Sequence, residues 1–150
     1  MSDLFKTGRG GRSYGGRMSA QFHFVGLVVT DMAASLAFYR RLGLDFPAGS
    51  ETEPHVEAPI GGGLSLVLDT VDVIRSFDPD WSPPTGGPGA ALAFRCDSPE
   101  EVDRRYAELT GAGYEGHKAP WDAFWGQRYA TLRDPDGNGV DLLATLPPAT

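Results

Sequence analysis

The feature that most constrains this chain is a repeat: displaced by 67 residues, the sequence lies over itself. Phe24-Val-Gly-Leu-Val-Val-Thr-Asp falls on Ala91-Leu-Ala-Phe-Arg-Cys-Asp-Ser, Tyr39 falls on Tyr106 and Leu42 on Leu109. In the first run Val25, Leu27 and Val29 alternate with Phe24, Gly26 and Val28, which suits a strand with two distinct faces. A helix should follow each strand. Met32, Leu36, Tyr39 and Leu42 recur at intervals of four and three, with Thr30 or Asp31 as cap and Gly43 as stop. In the second copy Val102, Tyr106 and Leu109 form the stripe. Ser98 is the cap there, Pro99 takes the first helical position, Glu101 suits a capping box, and Gly111 and Gly113 end the helix.

Beyond each helix the sequence becomes strand-like again. His55–Ile60 and Leu64–Leu68 flank Gly61-Gly62-Gly63, and Gln127–Arg133 and Val140–Ala144 flank Asp134-Pro-Asp-Gly-Asn-Gly. The unit is therefore strand, helix, then two or three strands, used twice in one domain over residues 21–150. Module one spans 21–75 and module two 90–146, joined by a Pro- and Gly-rich linker at 76–89 without apolar periodicity. Residues 1–20 are basic and Gly-rich, too poor in apolar side chains to offset the entropy of ordering. They are expected to be a disordered tail, a leader or an extended start ahead of Met18.

Cys96 is the single cysteine, which leaves no intrachain disulfide and no thiolate metal cluster; its expected role is core packing. No stretch approaches the roughly 18 consecutive apolar residues of a membrane span, and no secretory apolar segment opens the chain, so a cytoplasmic location is expected. Residues 1–17 carry Lys6, Arg9, Arg12 and Arg17 against Asp3, which leaves −10 of the −7 total on the remainder. An acidic body repels nucleic acid and draws cationic ligands. No Gly-x-Ser-x-Gly elbow or phosphate-binding Gly-Lys-Ser/Thr loop is present, and Gly61-Gly62-Gly63 precedes a strand instead of a helix.

The duplicated unit, with Phe38-Tyr39-Arg40-Arg41-Leu42-Gly43-Leu44 in copy one and Arg133-Asp-Pro-Asp-Gly-Asn-Gly-Val-Asp-Leu near the end, resembles the vicinal oxygen chelate superfamily of glyoxalases, bleomycin resistance proteins and extradiol dioxygenases. The resemblance implies an α+β fold in which tandem βαβββ modules curve their mixed sheets into a cup. It also implies a divalent metal at the cup floor, held by side chains from the first and fourth strands of each module. Carried over position by position, those ligands fall on Phe24, Ser65, Ala91 and Asp141. Only Asp141 is a competent ligand for a hard metal; phenyl and methyl groups have no donor atom and a neutral hydroxyl is weak. A metal site displaced to His55, Glu57 and Asp141 is the fallback, since His55 and Glu57 are two apart on one strand and share a face. Sliding β-strand register by one residue to bring His23 into the cup would turn Val25, Leu27 and Val29 away from the core. His117 is expected to be exposed in a loop.

With those donors replaced, the expected cup is apolar, with Asp141 as its acid and Arg95 on the same strand face as Ala91. Trp121, Phe124 and Trp125 cluster within five residues, and rings of this kind stack on planar or cationic ligands. Trp81 in the linker is a weaker candidate. The expected function is metal-free binding of a small organic molecule, an antibiotic or metabolite, by a homodimer resembling bleomycin resistance proteins. The acidic body and the want of a long apolar run lead to the expectation of no nucleic-acid and no membrane partner. The alternative is a lyase, isomerase or dioxygenase with an atypical divalent metal site.

Overall fold

The repeat appears in the computed structural model, which describes residues 20–148, as two mixed sheets. The basic tail therefore lies outside the described residues, Ala20 excepted. The chain runs β1 (Phe24–Val29), α1 (Met32–Arg41), a 3-10 turn (Ser50–Thr52), β2 (His55–Gly61), β3 (Leu64–Thr70) and α2 (Val71–Phe77). It continues with β4 (Ala91–Arg95), α3 (Pro99–Gly111), β5 (Gly116–Ala123), β6 (Gln127–Arg133) and β7 (Gly139–Thr145). The first sheet has the order β1-β3-β2, the second β4-β7-β6-β5. In each, the first and last strands pair in parallel and the others antiparallel.

Strand alternation sends one face of each sheet into a shared core. Val29, Leu66 and Leu68 meet Leu36, Phe38 and Tyr39 of α1, and the same cluster takes in Val102 and Leu109 of α3 with Ala130, Leu132, Val140, Leu142 and Ala144. Val25, Leu27, Leu92, Phe94 and Cys96 pack against it half-buried. Complete burial of each large apolar side chain contributes about 1.5–3 kcal/mol, so the register that faces these residues inward is strongly determined. Phe24 accordingly stands opposite Ser65, and no slip brings His23 into the sheet.

The caps of α1 and α3 form at Asp31 and Ser98, but the expected capping box at Glu101 does not close, because its carboxylate is held by Arg104 and Arg105. The Asp31 carboxylate accepts from the Ala34 N–H at 3.1 Å, and the Ser98 hydroxyl oxygen from the Glu101 N–H at 3.2 Å. Glu101 pairs with Arg104 and Arg105.

Three features depart from the sequence reading. Module one runs one strand short: residues 43–54 carry only the 3-10 turn where module two has β5. The Pro47 carbonyl in this segment is held by side chains instead of a neighbouring strand, with Arg40 donating to it at 3.1 Å and the Ser50 hydroxyl at 2.6 Å. The segment expected to begin the linker is in part the helix α2, capped by Thr70; seven residues are too few to show a period. His117 lies on β5 and not in a loop, although it is exposed as expected.

The turn between β6 and β7 ties the modules together. Asp134 is 5% exposed, and its carboxylate accepts from the N–H groups of Asp136 and Asn138, from Asn138 Nδ2 and from the Tyr39 hydroxyl at 2.6 Å. Burial and the neighbouring carboxylate push the Tyr39 hydroxyl far above the usual tyrosine range, so it remains a donor. Asp136 in turn accepts from the Thr30 N–H and hydroxyl at 3.1 and 2.8 Å. A hydrogen bond to a buried charge contributes about 1.5–3 kcal/mol, and Tyr39→Phe is expected to lower unfolding free energy by that amount. Urea denaturation checks this, and an unchanged midpoint with unchanged slope contradicts it.

Candidate functional site

The faces turned away from the core carry the candidate site residues. On sheet one, Phe24, Gly26 and Val28 of β1 lie opposite Ser65, Val67 and Asp69 of β3, and His55, Glu57 and Pro59 of β2 extend the same face. On sheet two the face is built from Ala91, Ala93 and Arg95, then Gly139, Asp141 and Leu143, then Gln127, Tyr129, Thr131 and Arg133. Lys118 and Trp121 of β5 complete it, opposite Thr131 and Tyr129.

The four positions that would carry a metal separate into two pairs. Phe24 and Ser65 stand opposite each other in sheet one, where the Phe24 ring lies over Gly26; a Cβ there would come within 3.3 Å of it. Ala91 and Asp141 line a shallow hollow of about 310 Å³ in sheet two. A divalent ion does not fit these residues: three of the four offer no donor or only a neutral hydroxyl, and the Asp141 carboxylate accepts the Tyr129 hydroxyl proton at 2.6 Å. His55 and Glu57 do share a face, but the second acid beside them is Asp69 and not Asp141. His55 Nδ1 lies 2.5 Å from Asp69 Oδ1 and Nε2 lies 2.9 Å from Glu57 Oε2, which leaves neither ring nitrogen free for a metal. Among the described residues no three of His, Cys, Asp or Glu come together as metal ligands.

The aromatic residues assemble on sheet two around a residue that the sequence reading missed. The Tyr129 ring packs edge-on against Trp121 at 5.6 Å and Trp125 at 5.4 Å, while its hydroxyl reaches Asp141. Tyr129 thus joins the hairpin aromatics to the acid on β7. Burial, then its bond to Asp141, pushes its hydroxyl up to about 12, so it donates throughout the physiological range. Trp125 Nε1 donates to Gln127 Oε1 at 2.9 Å, and Phe124 stands 96% exposed beside it. Lys118 Nζ lies 4.6 Å above the Trp121 ring. The signal for Tyr129 was available: alternation about Ala130 and Leu132 puts Tyr129 and Thr131 on the outer face, and the Asp134–Gly139 hairpin sets them beside Asp141.

Two candidates lie apart from this cluster. Arg95 shares the outer face but lines a smaller hollow with Cys96, Glu101 and Arg105, where burial pushes the Cys96 thiol up and keeps it protonated. Trp81 lies against Arg75, which donates to its carbonyl at 3.1 Å, and lines a hollow with Gly26, Val28, Pro83 and Pro84.

The model of the Glyoxalase/Bleomycin resistance protein/Dioxygenase superfamily matches residues 21–142, and the chain belongs to that superfamily. A glyoxalase/bleomycin resistance protein/dioxygenase family enzyme from Burkholderia phytofirmans is 22% identical with a TM-score of 0.72, covering 85% of this chain and 100% of its own. A protein from Nocardioides with the same family description is 24% identical with a TM-score of 0.68, covering 97% and 96%. A lactoylglutathione lyase from Agrobacterium tumefaciens is 22% identical with a TM-score of 0.59, covering 85% and 95%. At these identities the likeness shows the fold alone. No curated protein matches the chain.

The His55 cluster makes a pH prediction. Hydrogen bonds to Glu57 first, then Asp69, raise the His55 pKa above its ordinary value near 6.5. A raised folded value means that the stabilisation is complete below about 6.5 and is lost as pH rises through the folded pKa. The ring is half-exposed, so screening keeps the effect small. Proton NMR titration of the His55 ring should give a midpoint above that of the unfolded chain, moving back toward it in Glu57→Gln; equal midpoints in both proteins contradict the pairing.

Proposed function

We propose that this member of the superfamily is a cytoplasmic binding protein that holds a planar organic molecule on the outer face of sheet two without a metal ion. The observation that carries the reading is the Trp121–Trp125–Tyr129 cluster joined through the Tyr129 hydroxyl to Asp141. Two indole faces supply apolar contact at small entropic cost, and the hydroxyl–carboxylate pair supplies an orienting polar group, the usual division of labour in a small-molecule site. The metal-dependent alternative asks for donors that Phe24, Ser65 and Ala91 do not have. The net charge of the body favours cations at long range, but Lys118 already occupies the Trp121 face. The half-exposed Trp125 ring and the uncovered side of Trp121 therefore serve the ligand's planar body, and the cation position over Trp121 is filled from within the chain.

No helix among the described residues is long and apolar enough to cross a membrane. The proposal includes a homodimer: Phe22 is 68% exposed and Phe124 is 96% exposed, and β2 and β5 are outer sheet edges with unpaired backbone groups. Sedimentation equilibrium should give twice the chain mass at micromolar concentration, and a monomer there removes that element.

Tryptophan fluorescence titration against a panel of planar antibiotics and aromatic metabolites tests the main reading. Trp125→Ala is expected to weaken binding by about tenfold, equivalent to ~1.4 kcal/mol. Elemental analysis of the purified protein should find no stoichiometric zinc, iron or manganese; one equivalent that disappears in Asp141→Ala overturns the metal-free reading.

A further inference from the structure

The charge on the outer face of sheet two is opposite to that of the whole body. Arg95, Lys118 and Arg133 all belong to this face, and none of them makes an ion pair with another described residue. Off this face Arg40, Arg104, Arg105 and Arg128 are paired with carboxylates, and Arg41 and Arg75 lie over the Tyr114 and Trp81 rings. Arg133 makes only a long bond, 3.5 Å, to the carbonyl of its neighbour Leu132. Against these three cations the face carries a single acid, Asp141, one of whose oxygens accepts a hydrogen bond from the Tyr129 hydroxyl. Arg133, Thr131, His117 and Asp141 line the 310 Å³ hollow, floored by Ala91 and Gly139. The floor is bare for a packing reason, since a Cβ on Gly139 would approach the Ala90 carbonyl and the Ala91 side chain to 3.1 Å.

A second, independent observation points to an occupant. Thr131 Oγ1 is buried and has no hydrogen-bond partner among the described residues. A buried hydroxyl without a partner costs roughly 1–3 kcal/mol, and such groups in folded proteins are generally satisfied by a water or a ligand. It stands opposite Lys118 on one side and opposite Asp141 on the other. Its surroundings supply donors with unused capacity, the Arg133 guanidinium above all, whose planar fork matches the two oxygens of a carboxylate.

We propose that this hollow receives the anionic group of the ligand, so that the ligand is an aromatic acid. Its carboxylate sits on the Arg133 guanidinium, and the Thr131 hydroxyl, closed off in the free protein, turns about χ1 to reach it. The ligand's ring system extends along the sheet toward Trp121 and Trp125. The assignment rests on the aromatic-face reading above and specifies its substrate class. Lys118 serves both parts, covering the Trp121 ring while contributing positive charge beside the hollow. The long-range field of the acidic body slows the approach of such a ligand, whereas the local donors decide how tightly it stays.

Isothermal titration with naphthoate, its neutral analogue naphthalenemethanol and the cation naphthylmethylammonium tests the assignment, because all three share one ring system. Naphthoate should bind at least about tenfold more tightly than either analogue. Arg133→Gln should abolish that preference while leaving naphthalenemethanol within about twofold of the unsubstituted protein. Thr131→Val should weaken naphthoate without lowering the melting temperature of the free protein, since the hydroxyl has no internal partner to lose. Equal or tighter binding of the cation, or a naphthoate affinity indifferent to Arg133→Gln, overturns the anion site. If the probes bind with Trp125 dependence but without charge preference, the aromatic-face reading stands and only this assignment fails. Binding by none of the three overturns both.

Discussion

The buried Asp134 carboxylate is the constraint on which the rest of the arrangement depends. It lies in the turn between the last two strands, yet one of its oxygens accepts a hydrogen bond from the Tyr39 hydroxyl of the first module's helix. Its other contacts hold the Asp134–Asn138 turn in one shape, and the neighbouring Asp136 reaches back to Thr30. A charge this deeply placed is stable only with its full set of donors, and because Tyr39 belongs to the other module the set is complete only when both modules are folded and docked. The turn also sets where β7 begins. Gly139 and Asp141 take their places opposite Ala91 and Ala93 because the hairpin that precedes them is closed by that network.

Duplication produced two sheets of related topology that differ in what their outer faces have become. In module one the face is partly covered: Val67 lies outside the central core yet is only 1% exposed, and α2 packs on β1 and β3 on the way to the Trp81 segment. The exposed end of that face holds His55 between two carboxylates, a closed set of charges that satisfies itself. Module two has gained β5, and its outer face carries the aromatic side chains, the unpaired cations and the unpartnered Thr131 hydroxyl. The sheet with more strands thus offers the wider, less occupied surface.

Net charge and local charge diverge for a simple reason. Most of the acidic surplus is spread over helices and loops, where the carboxylates pair with Arg40, Arg104, Arg105 and Arg128 or face water. At the ionic strength of a cell, exposed charges more than about 8 Å apart are largely screened. What a bound molecule senses is therefore Arg133, Lys118 and Asp141, and the summed charge of the chain bears mainly on encounter.

The sequence by itself determined the duplicated architecture, the helix cap at Ser98, the inward face of β1 and the absence of metal-competent side chains at three of the four family positions, while it left the first cap open between Thr30 and Asp31. These are local properties: alternation, cap chemistry and donor atoms belong to a residue and its near neighbours. Tertiary structure decided which residues meet. Residues 43–54 form a 3-10 turn instead of a strand, with the Pro47 carbonyl held by Arg40 and Ser50, a contact across several residues with no periodic signature. Asp69 rather than Asp141 joined His55 because β2 pairs with β3, within its own sheet. Tyr129, Thr131 and Arg133 entered the site because the β6–β7 register set them beside Asp141, and the want of a hydrogen-bond partner for the Thr131 hydroxyl and of an ion-pair partner for Arg133 among the described residues is a property of the assembled sheet. Composition counts charges and donors, but only the fold determines which of them are already paired.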